Sequence, residues 1–263
     1  MVPRSYLDDI VAAHRRRAAA DDRDWRARLG AAIPRRPTLR AALRAEHVAV
    51  IAEVKRRSPS RGPLAPDLDP GALAAAYEAG GAAAVSVLTD EEFFGGCAED
   101  LRRAVAATRR PVLRKDFVVS ENDVLDAASW GAAGLLLIVA ALSDDALARL
   151  LHVARQLGLD ALVEVHDEAE LERALAVGAD LVGINQRDLH TFAVDQERAL
   201  RVAALADPSV VLVAESGLRD ERDVAALAAA GIDAVLVGES LVTSEDPEAA
   251  VARLAAVARH PRG

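Results

Sequence analysis

Acidic and basic side chains stand at the ends of several short apolar runs, where an apolar pattern alone would not place them. Glu53 and Lys55 end the first run, Lys115 ends the third, Glu164 lies in the fifth and Asn185 ends the sixth. A lysine and a glutamate held close together away from water shift each other's pKa values, which suits them to proton transfer. These residue types therefore predict general acid and base chemistry.

A structural ion-pair network is the alternative interpretation of any one of these residues. Glu53 and Lys55 are two positions apart in an extended segment, so both side chains point the same way. The seventh and eighth runs also end in polar residues, at 215–216 and 238–240. Because six run ends carry polar residues, the pattern favours a catalytic site over a structural network.

Eight short apolar runs predict eight β-strands, at 48–54, 84–88, 111–115, 134–138, 160–165, 181–185, 210–215 and 234–238. Each run is almost continuously apolar, which is typical of parallel strands covered on both faces. Alanine- and leucine-rich segments with helical spacing lie between them, for example at 144–157, 168–177, 195–205 and 219–230. Gly131, Gly158, Gly178 and Gly231 stand where a helix commonly ends in a left-handed residue.

This alternation predicts an α/β fold, a single (β/α)8 TIM barrel domain, with the barrel over residues 47–263. Residues 1–46 precede the first strand and predict an N-terminal helical extension across the barrel. A doubly wound open sheet is the alternative, and it would leave two strand edges to protect. In a barrel the carboxyl ends of the strands meet at one mouth, which would bring the polar residues together.

Composition limits the class of protein. The chain has 263 residues, 52% of them hydrophobic, and a formal net charge of −9, so it can form a core but offers no basic field for nucleic acid. The longest apolar run, 132–142, is too short to cross a membrane. A single cysteine, Cys97, and a start that lacks the features of a signal peptide predict a cytoplasmic protein.

Glycine and serine residues predict a phosphate site after the last two strands. Ser216, Gly217, Gly238 and Ser240 stand where many barrels bind phosphate through backbone N–H groups, and Ser58 after the first strand adds a hydroxyl. We therefore predict a phosphorylated small molecule as substrate.

The six histidines show no metal-ligand spacing with cysteines or carboxylates, and no G-x-G-x-x-G motif is present. The sequence thus predicts no metal and gives no sign of a bound dinucleotide. His166, two residues beyond Glu164, is interpreted as a rim or supporting residue rather than as a base.

These motifs together resemble the indole-3-glycerol-phosphate synthase family over nearly the whole chain. The resemblance is carried by IAEVKRRSPS at 51–60, SVLTD at 86–90, LRKDF at 113–117, LVEVH at 162–166, GINQRDL at 183–189 and AESG at 214–217. The family consists of carboxy-lyases of tryptophan biosynthesis, which need no cofactor. They convert 1-(2-carboxyphenylamino)-1-deoxyribulose 5-phosphate to indole-3-glycerol phosphate with release of carbon dioxide and water.

The resemblance implies roles for the catalytic positions. Lys115 matches the acid that protonates the ribulose carbonyl during ring closure, and Glu164 and Glu53 match the base and the acid of dehydration. Lys55 would pair with the substrate carboxylate, and Asn185 would fix hydroxyls and nearby side chains. Which of Lys55, Glu53 or Lys115 is the acid in dehydration stays open.

The resemblance also implies a set of substrate-binding residues. The aromatic ring would be flanked by Phe94, Phe117, Leu136 and Ile138. The phosphate would be held by Ser58, Gly217, Gly238 and Ser240. The set is completed by Arg56, Arg187, Glu215 and Ser216. We expect Arg187 to brace the loop after the sixth strand through acidic neighbours. Cys97, Gln186 and Asp123 depart from the family pattern but remove no proposed catalytic group.

Two other functions stay open at this point. Another phosphate-binding barrel enzyme of the same pathway, such as phosphoribosylanthranilate isomerase or an indole-releasing lyase, would not need the Glu53, Lys55, Lys115 and Glu164 set. A catalytically silent barrel could serve as a binding subunit. The resemblance also leaves room for association with other enzymes of tryptophan biosynthesis.

Overall fold

The computed structural model describes residues 6–28, 37–59, 61–188, 193–260 and 262. Within these residues, eight parallel strands form a closed barrel in chain order, and the last strand pairs with the first. The strands are β1 Ala49–Val54, β2 Ala84–Leu88, β3 Val112–Lys115, β4 Gly134–Ile138, β5 Asp160–Val165, β6 Leu181–Asn185, β7 Val211–Glu215 and β8 Ala234–Val237. The predicted (β/α)8 barrel is confirmed, and the predicted strand bounds differ from these by at most one residue.

The helices of the described residues are α1 Tyr6–Ala19, α2 Leu39–Ala42, α3 Pro70–Ala79, α4 Glu91–Phe94, α5 Ala98–Ala107, α6 Glu121–Ser129, α7 Asp144–Gln156, α8 Glu168–Ala176, α9 Arg198–Ala203, α10 Glu221–Ala229, α11 Glu239–Val242 and α12 Pro247–Ala255. The helix predicted over 195–205 is shorter than expected. Asp195 instead accepts a hydrogen bond from the backbone N–H of Glu197, 3.1 Å away, which forms a turn before α9.

The connections between strands and helices are defined by local hydrogen bonds. Side chains of Asp69, Ser120, Ser143, Asp167 and Asp220 accept backbone N–H groups at the starts of α3, α6, α7, α8 and α10. Each such cap satisfies donors that a helix start leaves without an intrahelical partner. The four glycines predicted after helices have φ between 70° and 88°, which confirms the left-handed ends.

The N-terminal extension spans both ends of the barrel. Helix α1 lies over the carboxyl ends of the strands, where Arg15 Nη2 donates to the carbonyl oxygen of Ala141 at 2.9 Å. Helix α2 lies at the opposite end, where the backbone N–H of Arg40 donates to Asp160 Oδ2 at 2.8 Å. The predicted N-terminal helix is thus present as α1. Within the described residues, no helix is long and apolar enough to span a bilayer.

The close contact of the chain after α3 with α12 gives a test of packing. A Cβ on Gly80 would lie 2.4 Å from the carbonyl oxygen of Glu248 and 2.9 Å from Val251 Cβ. Gly80→Ala should therefore lower the free energy of unfolding by about 1–3 kcal/mol, measured by urea denaturation. Ala75→Ser, at an exposed position of α3, is the control and should change it by less than about 0.5 kcal/mol. Equal stability of both variants would contradict this packing.

Candidate active site

A cavity of about 940 Å³ opens at the carboxyl ends of the strands. Every site residue predicted from the sequence lines it except Arg56. Residues of α1 complete the wall, with Tyr6, Leu7 and Ile10 facing the cavity. The sequence did not identify these three as site residues.

Lys115 is the centre of a buried charge cluster in this cavity. Its Nζ lies 2.9 Å from Glu164 Oε2 and 2.6 Å from Glu215 Oε2, and both glutamate side chains are only 2% exposed. Asn185 Nδ2 donates to the other oxygen of Glu164, Oε1, at 3.2 Å. The ends of β3, β5, β6 and β7 thus bring together residues as much as 100 positions apart in the chain.

Burial and charge act in opposite directions on the pKa values of this cluster. Burial alone would lower the pKa of Lys115, but the negative charges of Glu164, Glu215 and Glu53 outweigh it and raise that pKa. Burial would raise the pKa of Glu164, yet Lys115 and then His166 hold it below its usual range.

Burial raises the pKa of Glu215 to about 7, because the charge of Lys115 only partly offsets it and Glu164 adds to it. Near neutral pH, Lys115 is therefore a charged donor and Glu164 an ionised acceptor, whereas for Glu215 the pH is close to its pKa. Titratable groups whose surroundings drive their pKa values apart are the arrangement that acid and base catalysis needs.

Glu53 and Lys55 form a second ion pair in the same cavity. Lys55 Nζ lies 2.6 Å from Glu53 Oε1, so the two side chains point the same way, as predicted. Tyr77, which is fully buried, donates its hydroxyl hydrogen to the backbone carbonyl oxygen of Glu53 at 3.1 Å. At the end of β8, a Cβ on Gly238 would lie 2.4 Å from Glu53 Oε1. Gly238 therefore leaves room for this pair, a role that the sequence did not reveal.

An apolar wall faces these charges. The rings of Phe94 and Phe117 lie 6.0 Å apart at 34°, and Leu136 and Ile138 of β4 line the same cavity. The four residues expected to flank an aromatic ring are thus on the cavity surface.

The loops after β7 and β8 form another side of the cavity. Ser216 and Gly217 have φ of 68° and 76°, and for a serine this left-handed conformation costs about 1–3 kcal/mol. Gln186 Nε2 donates to the carbonyl oxygen of Ser216 at 2.8 Å, which helps to fix this turn. Ser58 and Ser240 also line the cavity.

The structure places Arg56 outside the lining of the cavity. Its guanidinium points away from the cavity and forms a bidentate pair with Asp100, at 3.0 and 2.8 Å. It also donates to the carbonyl oxygens of Pro66 and Leu68. Arg56 therefore braces the loop after β1.

Arg187 lies in the cavity wall, and its backbone N–H donates to Asn185 Oδ1 at 3.0 Å. A bridge between Arg187 and Val194 closes the loop after β6. Residues Ser60 and Leu189 of the sequence motifs lie outside the described residues.

A buried polar cluster that the sequence did not predict anchors α1 over the mouth. His14 Nε2 lies 2.9 Å from Asp90 Oδ2 and 3.8 Å from Asp116 Oδ1. The three side chains could place one ligand atom each around a cation, within 4.8 Å of one another. However, both oxygens of each carboxylate already accept hydrogen bonds from protein donors, among them the backbone N–H groups of Phe93 and Phe117. We therefore interpret the cluster as an anchor for α1.

Comparison with known proteins gives consistent matches. A family model of indole-3-glycerol phosphate synthase matches residues 7–254. A protein of that name from a Nocardioides species is 52% identical over 258 residues, covering 96% of this chain and 99% of its own length. Another of that name, from Streptomyces griseus subsp. griseus, is 49% identical over 264 residues, covering 98% and 97%.

Among solved structures, thiamine phosphate pyrophosphorylase from Pyrococcus furiosus superposes with a TM-score of 0.61. The superposition covers 81% of this chain and 95% of that one, at 16% sequence identity. At this identity the likeness shows a shared fold and no more.

The tight contact at Gly238 gives a test of the site geometry. Gly238→Ala should displace the Glu53 carboxylate and lower kcat for the ring-closing reaction by about 100-fold, since a misplacement near 1 Å has such an effect. The circular dichroism spectrum and Tm, measured alongside, should show that the variant still folds. An increase in KM with normal kcat would mean that the added methyl group meets the substrate and not Glu53.

Proposed function

The chain belongs to the indole-3-glycerol phosphate synthase family, and we propose that its cavity carries out the reaction of that family with the residues described above. The reaction converts 1-(2-carboxyphenylamino)-1-deoxyribulose 5-phosphate to indole-3-glycerol phosphate, carbon dioxide and water, as a step of tryptophan biosynthesis. We base the assignment of roles on the position of Lys115, whose ammonium group lies 2.9 Å from Glu164 and 2.6 Å from Glu215.

Each part of this substrate would have a counterpart in the cavity. Lys55 would pair with the carboxylate on the aromatic ring, and the wall of Phe94, Phe117, Leu136 and Ile138 would flank the ring. The phosphate would lie against the loops after β7 and β8, whose backbone N–H groups are a common phosphate site in barrels. Because the two anionic ends are held apart, the chain between them would be folded so that the reacting carbons meet.

Lys115 would act in the first chemical step. The ring carbon that carries the carboxylate attacks the ribulose carbonyl carbon, and a new carbon–carbon bond forms. The carbonyl oxygen takes a proton from Lys115 Nζ and becomes a hydroxyl group, while the lysine becomes neutral. The bond to the carboxylate then breaks, carbon dioxide leaves, and its electron pair restores the aromatic ring.

Glu164 would act in the dehydration that follows. Its carboxylate takes a proton from the closed ring, and the hydroxyl group leaves as water once it is protonated. We assign this protonation to the Glu53 and Lys55 pair, since Lys115 has already given its proton in ring closure. Asn185 Nδ2, 3.2 Å from Glu164 Oε1, would hold the carboxylate in place.

We propose a cytoplasmic enzyme that needs no cofactor and binds neither nucleic acid nor membranes. The proposal is supported by the single cysteine and the net charge of −9. Association with other enzymes of the pathway also remains a proposal. The alternative of a catalytically silent subunit is tested by turnover of the isolated chain.

Purified protein should form indole-3-glycerol phosphate from the carboxyphenylamino substrate, followed by indole fluorescence. Lys115→Ala should lower kcat by about 100-fold or more, since it removes the proposed general acid. Arg110→Ala, which removes a positive charge from an exposed position just before β3, should leave kcat unchanged. No turnover by the wild-type chain would refute the function, and near-normal kcat in Lys115→Ala would remove Lys115 from the mechanism.

Glu164→Gln should keep the size of the side chain and the binding of substrate while it slows turnover by about 100-fold or more. If Glu164 acts after carbon–carbon bond formation, a cyclised intermediate should accumulate in single-turnover experiments followed by rapid quench. Glu172→Gln, at an exposed position of α8, is the matched control. A change confined to KM would show that Glu164 binds substrate without moving a proton.

A further inference from the structure

His166 lies one residue beyond the end of β5, next to Glu164 but outside the cavity wall. Its Nε2 is 3.4 Å from Glu164 Oε1, and its Nδ1 is 3.1 Å from Glu170 Oε2. The imidazole therefore stands between a residue of the active site and the first turn of α8.

Both ring nitrogens of His166 face a carboxylate. A neutral imidazole has a hydrogen on one nitrogen only, so its other nitrogen would present a lone pair to a carboxylate oxygen. Two facing carboxylates therefore favour the imidazolium form, which donates on both sides. In the described part of the chain, Nε2 is buried and has no hydrogen-bond partner of good geometry, and Glu164 Oε1 lies 3.4 Å from it.

The ring is fixed from the side of α8. Glu170 Oε2 accepts a hydrogen bond from the backbone N–H of His166 at 2.8 Å as well as from the ring. The backbone N–H of Glu170 in turn donates to Asp167, the N-cap of α8. The start of the helix thus determines where the imidazole points.

Resting on the proposed function, we propose that His166 is a positioning residue that keeps Glu164 ionised after Lys115 has given up its proton. Lys115 contacts Glu164 Oε2, whereas His166 faces Oε1. Once the lysine is neutral, the imidazolium is the positive charge that remains beside the carboxylate. Glu164 can then take a proton from the closed ring; its O–H bond forms as the substrate C–H bond breaks, and His166 keeps its own proton.

The surrounding charges agree with this role. Burial lowers the pKa of His166, and the charge of Arg198 from α9 acts in the same direction. The hydrogen bond to Glu170 and the charges of Glu164 and Glu170 outweigh both, so that the pKa of His166 is raised. The interaction is reciprocal: the pKa of Glu164 is lowered by the charge of Lys115 and, to a smaller extent, by that of His166.

The first experiment measures this coupling without turnover. Titration of His166 by NMR in protein labelled with ¹⁵N-histidine should give a pKa about one unit lower in Glu164→Gln than in the wild type, since a facing negative charge is lost. The exposed His152 of α7 is the internal control and should titrate alike in both proteins. An unchanged pKa of His166 would overturn the proposal, whether or not the chain is active.

The second experiment uses the pH dependence of kcat. Loss of a facing positive charge raises the pKa of a carboxyl group, so His166→Gln should move the acid limb, where Glu164 must ionise, up by about one pH unit. KM should stay within about twofold, and His152→Gln should match the wild type.

Glu170→Gln should move the acid limb in the same direction by a smaller amount, and it serves if His166→Gln does not fold. An acid limb that stays in place in folded variants, or a change in KM alone, would overturn the proposal. If the wild type has no activity while the NMR coupling is present, the proposed function fails and the contact between His166 and Glu164 stands.

Discussion

The site depends on one buried positive charge. Moving an ammonium group out of water costs several kcal/mol, and only nearby negative charges with good geometry offset that cost. For Lys115 these charges come from Glu164 on β5 and Glu215 on β7, with Glu53 on β1 acting at longer range. The strand ends must therefore meet within a few ångströms, which a closed parallel barrel provides. Glu164 and Glu215 share this one lysine, but burial outweighs its charge only at Glu215. The pKa of Glu215 is therefore raised, whereas that of Glu164 is lowered.

Lysine and arginine have separate tasks in this chain. Of its 32 basic residues only two are lysines, Lys55 and Lys115, and both line the cavity. Arginines form the structural pairs, such as Arg56 with Asp100 and Arg114 with Asp116. An arginine does not release its proton in a protein, whereas a lysine can. The chain thus keeps the exchangeable cation for the place where a proton has to move.

Much of the fold and the site could be predicted from the sequence because both depend on local patterns. Apolar runs marked the strands, and polar residues at their ends marked the mouth. The direction of Arg56 could not be predicted, since it depends on Asp100, 44 positions away. The pairing of His14 with Asp90 joins residues 76 positions apart, and no local pattern signals it. The contact of Gly238 with Glu53 could not be predicted either, because it exists only once the barrel is closed.

That contact lies at the seam of the barrel, where β8 pairs with β1. Glu53 lies on the first strand and Lys55 directly follows it, whereas Gly238, which leaves room for them, follows the last. During synthesis Glu53 and Lys55 leave the ribosome long before Gly238 exists. The nascent chain therefore carries its reactive groups through most of translation without the surroundings that tune them. Catalytic competence arrives late, when the carboxyl-terminal strand joins the amino-terminal one, so a truncated chain that lacks β8 would be both unclosed and inactive.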